Sequence, residues 1–181
     1  VISQNYGFPD SMAVVIDGFT IQNGKAVNGA GLNISKNTTV NNCIIRNNVA
    51  SNIGMALCAY NATVKNCQIY GNSHTDSGER VVYLSNSVLD SCVIKNNTAR
   101  YYGSIYAEGG SRISNTLFES NSSVNSYYSN RNSYFNNSTI ENCQFVGSTG
   151  RGGTVDVEVR SDNMFPMNII INGEYVRNIN I

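Results

Sequence analysis

The chain has 181 residues, a formal net charge of zero and only 13% charged residues, so it lacks the basic excess that attracts nucleic acid or an anionic membrane. No segment approaches the roughly 20 apolar residues that span a bilayer, and a chain of this length suits one domain with a sizeable core. The start at Val1, without Met or a leader, predicts a processed product or a fragment. Asparagine supplies 29 residues, yet β-branched and aromatic residues recur throughout, which argues against disorder.

A short apolar phrase recurs along the chain, and its first apolar residues are separated by 24, 24, 25, 24 and 27 positions: Ile16, Val40, Val64, Leu89, Ile113 and Ile140. The third residue after each of them forms a second series: Phe19, Cys43, Cys67, Cys92, Thr116 and Cys143. The fifth forms another: Ile21, Ile45, Ile69, Ile94, Phe118 and Phe145. Equivalent residues that return at a fixed interval predict coils of a solenoid that stack on one another.

A second strand precedes most of these phrases by seven or eight residues. It is seen in "GLNIS" at 31, "ALCAY" at 56, "VVYLS" at 81, "SIYAE" at 104 and, more loosely, "SYFNN" at 133. Alternate positions are mostly apolar, as in a strand with one buried face, and no helical period is sustained. Two other repeat folds fit less well, because the Leu-x-x-Leu-x-Leu pattern of leucine-rich repeats is absent and the blades of a β-propeller need a longer repeat. The sequence therefore predicts an all-β protein, a parallel β-helix of about six coils over residues 14–150.

The repeated cysteines have three explanations. A column of Cys43, Cys67, Cys92 and Cys143, with Phe19 before it and Thr116 within it, would pack as small apolar side chains. A disulfide between neighbouring coils would meet the distance requirement, but stacked side chains point the same way and the count of five is odd. Zinc is disfavoured because no pair has the usual close spacing. Packing is the favoured explanation; Cys58 lies in the second strand and faces either way.

The asparagines predict stacked turns, because Asn tolerates a left-handed backbone and its amide bonds to equivalent amides above and below. Asn47, Asn72, Asn96 and Asn121 are the predicted members of one ladder.

The two ends differ from the repeats. Residues 1–13 are predicted to be the remnant of an earlier coil or a cap. "TVDVEVRS" at 154 alternates, and "NIIINGEYV" at 168 contains an Asn-Gly pair typical of a hairpin. Residues 151–181 are predicted to form a β cap, which a solenoid needs to cover its last coil.

Several motifs resemble those of the right-handed parallel β-helix, or pectate-lyase-like, superfamily. "GAGL" at 29, "GMAL" at 54 and "GSIY" at 103 are similar to the Gly-Gly-Ala-Ile signature of secreted bacterial polymorphic outer-membrane-type repeat proteins. "FESN" at 118 matches their Phe-x-x-Asn signature, and "VIDGFTIQNG" at 15 is typical of such surface proteins. The resemblance covers roughly residues 14–150. It implies a right-handed coil and a secreted, outer-membrane or cell-surface location, but not one function, since members include lyases, hydrolases, adhesins and phage spikes.

Catalytic signatures are weak. The densest acidic turn is "HTDSGER", with His74, Asp76, Glu79 and Arg80 as an alternative site, although a flexible polar turn is the favoured explanation. No phosphate loop, nucleophile elbow or zinc signature occurs, so no catalytic residue, metal or cofactor is predicted.

Tyrosines suggest binding instead, because they offer sugars an apolar face with a polar tip. The candidates are Tyr101, Tyr102, Tyr106, Tyr127 and Tyr128, and Tyr134 gathers with them in two adjacent coils, although such rings can also stack inside or shield the coil edges. The favoured hypothesis is a monomeric, non-catalytic adhesin or glycan-binding rod whose partner is a polysaccharide or host-surface glycan. The alternatives are a polysaccharide lyase or glycoside hydrolase, whole or in part, and a structural segment of a larger surface or spike protein.

Overall fold

The computed structural model describes residues 12–75, 78–124 and 132–150, together with two short strands beyond them. The described residues form β-strands and turns without a helix, and every strand pair is parallel, as in a β-solenoid. Strands are numbered in chain order. Six stacked strands on one side correspond to about five complete turns, slightly fewer than the six coils predicted.

Three long sheets form the sides of the solenoid. Sheet 1 contains β1 (Val14–Asp17), β5 (Thr38–Asn41), β9 (Thr63–Lys65), β13 (Val88–Asp90), β17 (Arg112–Ser114) and β21 (Thr139–Glu141). Sheet 2 contains β2 (Thr20–Gln22), β6 (Ile44–Arg46), β10 (Gln68–Tyr70), β14 (Val93–Lys95), β18 (Leu117–Glu119), β22 (Gln144–Val146) and β25 (Ile170–Asn172). Sheet 3 contains β4 (Leu32–Ser35), β8 (Ile53–Tyr60), β12 (Arg80–Ser85), β16 (Tyr102–Glu108), β20 (Ser133–Phe135) and β24 (Val157–Val159).

Two shorter sheets lie between sheets 2 and 3 along the chain. One contains β3 (Lys25–Ala26), β7 (Val49–Ala50) and β11 (Ser73–His74). The other contains β15 (Thr98–Ala99), β19 (Ser122–Ser123) and β23 (Thr149–Gly150). Within 151–181, β24 and β25 pair in parallel with β20 and β22; the rest of that segment and residues 1–11 lie outside the described residues, as does the partner strand of the predicted hairpin.

Left-handed turn residues explain the asparagine content. Each turn between sheets 1 and 2 has one residue with positive φ: Gly18, Asn42, Asn66, Ser91, Asn115 and Asn142. The turn after sheet 2 repeats the pattern with Asn23, Asn47, Gly71, Asn96, Ser120 and Gly147. Asn37, Asn61, Asn86 and Asn137 do the same between sheets 3 and 1. Asn tolerates this conformation better than other non-glycine residues, so asparagine occupies most of these corners and Gly or Ser occupies the rest.

The core is built from the predicted apolar columns. The column of sheet 1 runs through Ile16, Val40, Val64, Leu89, Ile113 and Ile140, and all six side chains are buried. In sheet 2, Ile45, Ile69 and Ile94 are fully buried and the rings of Phe118 and Phe145 stack in parallel, 4.7 Å apart. The left-handed residue between the sheets reverses the side-chain parity, so both columns face the interior.

A ladder of buried asparagines lines the corner after sheet 2, and its members are Asn48, Asn72, Asn97 and Asn121. The predicted membership of the ladder was right for Asn72 and Asn121 and wrong for Asn47 and Asn96. Those two residues adopt the left-handed turn itself, with φ values of 53° and 52°. The following asparagine therefore points inward in each case.

Candidate functional site

The outer face of sheet 3 carries a column of tyrosines. Tyr83, Tyr106 and Tyr134 occupy the same register position in β12, β16 and β20. Alternation along each strand places apolar neighbours such as Leu84 and Ala107 in the core, which leaves these rings on the outside. Tyr60 at the end of β8 and Tyr102 at the start of β16 complete a set that we call the tyrosine cluster: Tyr60, Tyr83, Tyr102, Tyr106 and Tyr134.

The rings of the cluster form a continuous set of contacts. Ring centroids are 5.4 Å apart for Tyr60 and Tyr83, 5.8 Å for Tyr83 and Tyr106, and 4.7 Å for Tyr106 and Tyr134. Tyr102 lies 5.1 Å from Tyr106 with its edge toward that ring, and 5.7 Å from Tyr134. Tyr83 and Tyr134 are nearly covered, whereas Tyr60, Tyr102 and Tyr106 are half-buried. The cluster is therefore a packed aromatic strip with three partly accessible rings.

Arg80 lies at the centre of this strip. Its guanidinium carbon is 4.0 Å from the ring centroid of Tyr106, and 5.4 Å and 5.8 Å from those of Tyr83 and Tyr102. Arginine stacks on aromatic faces through its planar cation, which is attracted to the electron-rich face of the ring. Its terminal nitrogen Nη2 also lies 3.5 Å from the carboxylate of Glu79, and its side chain is 22% exposed.

Glu108 borders the cluster on the other side. The hydroxyl of Tyr83 donates a hydrogen bond to Oε1 of Glu108. Burial raises the pKa of Tyr83, and that hydrogen bond adds to the shift. Burial likewise raises the pKa of Tyr60, and it raises that of Tyr106 to about 12 with a further contribution from the charge of Glu108. These phenols therefore remain neutral hydrogen-bonding groups around neutral pH.

The structure places the predicted tyrosines differently. Tyr102 and Tyr106 belong to the cluster, whereas Tyr101 lies in the turn before β16, where the guanidinium carbon of Arg100 is 5.5 Å from its ring centroid. Tyr127 and Tyr128 fall outside the described residues. A sugar-binding role for all five stays a prediction.

The acidic turn is only partly described. His74 ends β11, in the register position held by Ala50 in the coil below. Asp76 lies outside the described residues. Glu79 and Arg80 enter sheet 3, where Arg80 joins the tyrosines. Among the residues that the structure describes, no group of three His, Cys, Asp or Glu side chains is arranged to hold a metal ion.

The cysteines occupy one interior column with Thr116. Cys43, Cys67, Cys92 and Cys143 are buried free thiols, and each lies 3.1–3.4 Å from a backbone carbonyl two residues earlier in the chain. A hydrogen bond with Cys67, then burial, raises the pKa of Cys92, and burial raises that of Cys143. Phe19, expected at the start of this column, is instead 61% exposed. Cys58, left open above, faces outward beside the tyrosine column but is covered, and burial raises its pKa to about 11.

Sequence analysis missed four parts of this site: Tyr60, Tyr83, Glu108 and the position of Arg80. The signal for Tyr83 was present, because "VVYLS", "SIYAE" and "SYFNN" carry tyrosine at equivalent positions once they are aligned. Arg80 could not be placed in this way, because the register of β12 shifts between Arg80 and Val82 against both neighbouring strands.

No helix among the described residues has the length and apolar content needed to cross a membrane. A comparison of the whole chain with protein-family models, curated proteins and solved structures found no match.

Proposed function

We propose that this protein is a non-catalytic β-solenoid rod that binds a polysaccharide along the outer face of sheet 3. The observation that carries the proposal is the continuous tyrosine strip, which extends over four successive coils. With about 4.8 Å between coils, the strip from Tyr60 to Tyr134 is about 14 Å long. An extended oligosaccharide chain fits such a strip better than a single sugar does.

The chemistry of the strip suits a sugar chain. Aromatic rings present apolar faces to the C–H faces of sugars, and phenol groups exchange hydrogen bonds with sugar hydroxyls. Tyr60, Tyr102 and Tyr106 supply the accessible rings, and Tyr83 and Tyr134 stack on either side of Tyr106 and hold its ring in place. Because each ring is fixed by its neighbours and by Arg80, little side-chain entropy is lost on binding.

Such a rod would act outside the cell, secreted or attached to the cell surface, as an adhesin or glycan-binding module. This location is part of the proposal and is consistent with the resemblance of the repeats to secreted bacterial proteins. The three partly accessible rings lie along one side of the rod, which suits attachment to a long polymer.

Binding can be measured by affinity electrophoresis in gels that contain a panel of soluble polysaccharides. The double substitution Tyr102→Ala and Tyr60→Ala removes two accessible rings, and we expect the retardation of the protein to fall at least about tenfold, since stacked aromatic contacts contribute roughly 1 kcal/mol each. Circular dichroism checks that the strands persist.

Tyr70→Ala is the matched control. Tyr70 is a half-buried tyrosine on sheet 2, where its hydroxyl accepts a hydrogen bond from Arg46 at 3.2 Å. The control should bind like the unmodified protein. If the double variant binds as strongly as the unmodified protein, the strip is not the binding surface. If the polysaccharides are shortened after incubation with the protein, with or without calcium, the protein is an enzyme and not a binding module.

A further inference from the structure

The charges around the tyrosine cluster indicate the chemical class of the polysaccharide. This inference deepens the proposed function and rests on it. Three charged side chains meet at the cluster: Arg80, which stacks on Tyr106; Glu79, which pairs with Arg80; and Glu108, which accepts the hydrogen bond from Tyr83. Counted over the side chains that the structure describes here, one cation and two carboxylates give this part of the strip a net negative charge.

The cation is also poorly placed to attract an anion. Its guanidinium is held between the rings of Tyr83, Tyr102 and Tyr106, and its Nε atom is buried away from solvent. Glu79 lies beside the terminal nitrogen Nη2. A carboxylate or sulfate group on a ligand would therefore meet Glu79 or Glu108 before it gained a strong contact with Arg80.

Hydroxyl groups fit the same three side chains well. A carboxylate has about four acceptor sites, and the hydroxyl of Tyr83 occupies one of those of Glu108. The remaining sites can accept hydrogen bonds from sugar hydroxyls, and the phenols of Tyr60 and Tyr106, which stay protonated, can donate or accept. Hydrogen bonds to a charged group are stronger than those between neutral groups, so Glu108 has the largest effect on binding.

We infer that the strip binds a neutral polysaccharide, that Glu108 is the main acceptor of its hydroxyl groups, and that acidic polysaccharides are discriminated against by the two carboxylates. The inference follows from the position of Glu79 and Glu108 on either side of Arg80, the cation that stacks on Tyr106.

Matched pairs of polymers test the inference on the intact chain. Hydroxyethyl cellulose and carboxymethyl cellulose share a backbone and differ in charge, as do methyl-esterified and free-acid polygalacturonan. In affinity electrophoresis at low salt, we expect the neutral member of at least one pair to retard the protein at least about threefold more strongly than its acidic partner. At about 0.5 M salt the difference should shrink, because repulsion between exposed charges is screened and steric differences are not.

Glu108→Gln provides the second arm. Glutamine keeps the shape of the side chain and an acceptor for the Tyr83 hydroxyl but removes one negative charge. The retardation by the neutral polymer should therefore fall, and the difference in retardation between the neutral and the acidic polymer should decrease. Stronger binding to the acidic member of each pair, or discrimination unchanged by salt and by Glu108→Gln, would overturn this inference and leave the binding strip intact. No retardation by any polymer of the wider panel would overturn the proposed function, and this inference with it.

Discussion

Replacing Asn97 by alanine should destabilise the solenoid more than almost any other single substitution. The Oδ1 atom of Asn97 accepts hydrogen bonds from the backbone N and the Nδ2 of Asn72, both at 3.0 Å. Its Nδ2 donates to the carbonyl of Ile69 at 3.0 Å and to Oδ1 of Asn121 at 3.0 Å. One fully buried side chain therefore connects three successive coils.

The cost follows from the groups that lose partners. The backbone N–H of Asn72 loses its acceptor inside the solenoid, and an unsatisfied buried group costs about 1–3 kcal/mol. The remaining bonds to Asn72 Nδ2, Ile69 and Asn121 contribute about 0.5–1.5 kcal/mol each. With partial relaxation, we expect Asn97→Ala to lower the free energy of unfolding by about 3–5 kcal/mol. That is a large part of the total stability of an ordinary domain, about 5–15 kcal/mol.

Urea denaturation followed by circular dichroism measures the change. A slope of about 2 kcal/mol per molar urea converts the expected loss into a midpoint shift of about 2 M. Asn96→Gly is the matched control, because Asn96 adopts a φ of 52° that glycine tolerates and lies one residue away. It should cost no more than about 1 kcal/mol. Similar small losses for both variants would refute the ladder as a main source of stability.

Three further predictions concern other parts of the solenoid. All five thiols are buried, so a thiol reagent should label none of them in the native protein and five in denaturant; rapid native labelling would contradict their role in packing. Hydrogen bonds, of which the one from Ser114 has the largest effect, hold the pKa of Asp90 below its ordinary value. The ionised carboxylate therefore stabilises the fold above about pH 3.9, and this stabilisation is lost as the pH falls through the pKa of the folded state. Asp90→Asn should make the urea midpoint depend less on pH in this acidic range. An unchanged pH dependence would mean that other groups cause it. Gly54→Ala should cost about 2 kcal/mol or more in urea denaturation, because Gly54 has a φ of 65° and an added Cβ would overlap Sγ of Cys58; a loss below about 0.5 kcal/mol would contradict this packing.

The sequence was sufficient to predict the repeat and the core, because a solenoid places equivalent residues directly above one another. Aligning Val40 with Val64 and Ile45 with Ile69 already defines which side chains stack in sheets 1 and 2. The pairings in the structure are those that the alignment predicts. The repeat period alone was therefore enough to predict which strands pair in sheets 1 and 2.

Other features depend on backbone conformation that the period does not show. In an Asn-Asn pair such as Asn47 and Asn48, one residue takes the left-handed turn and the other points inward, and the composition of the two is identical. Only Gly71 before Asn72 shows the order directly, because glycine favours the turn position. The register shift beside Arg80 is likewise invisible in the sequence, so the arginine at the centre of the tyrosine cluster was assigned to the acidic turn.

The buried ladder and the outer tyrosines are connected by the same geometry. Stacking of equivalent residues places one coil about 4.8 Å above the next, and this spacing lies within the 4.7–5.8 Å range of the ring separations in the cluster. The ring spacing therefore depends on the register of sheet 3. The hydrogen bonds between the side-chain amides of Asn72, Asn97 and Asn121 help to hold the register of the same coils from the interior. The binding surface that we propose needs no pocket, because the repeat itself positions each ring. It follows that substitutions in the ladder should weaken polysaccharide binding even though the amides lie in the interior, and that the loss should track the loss of stability.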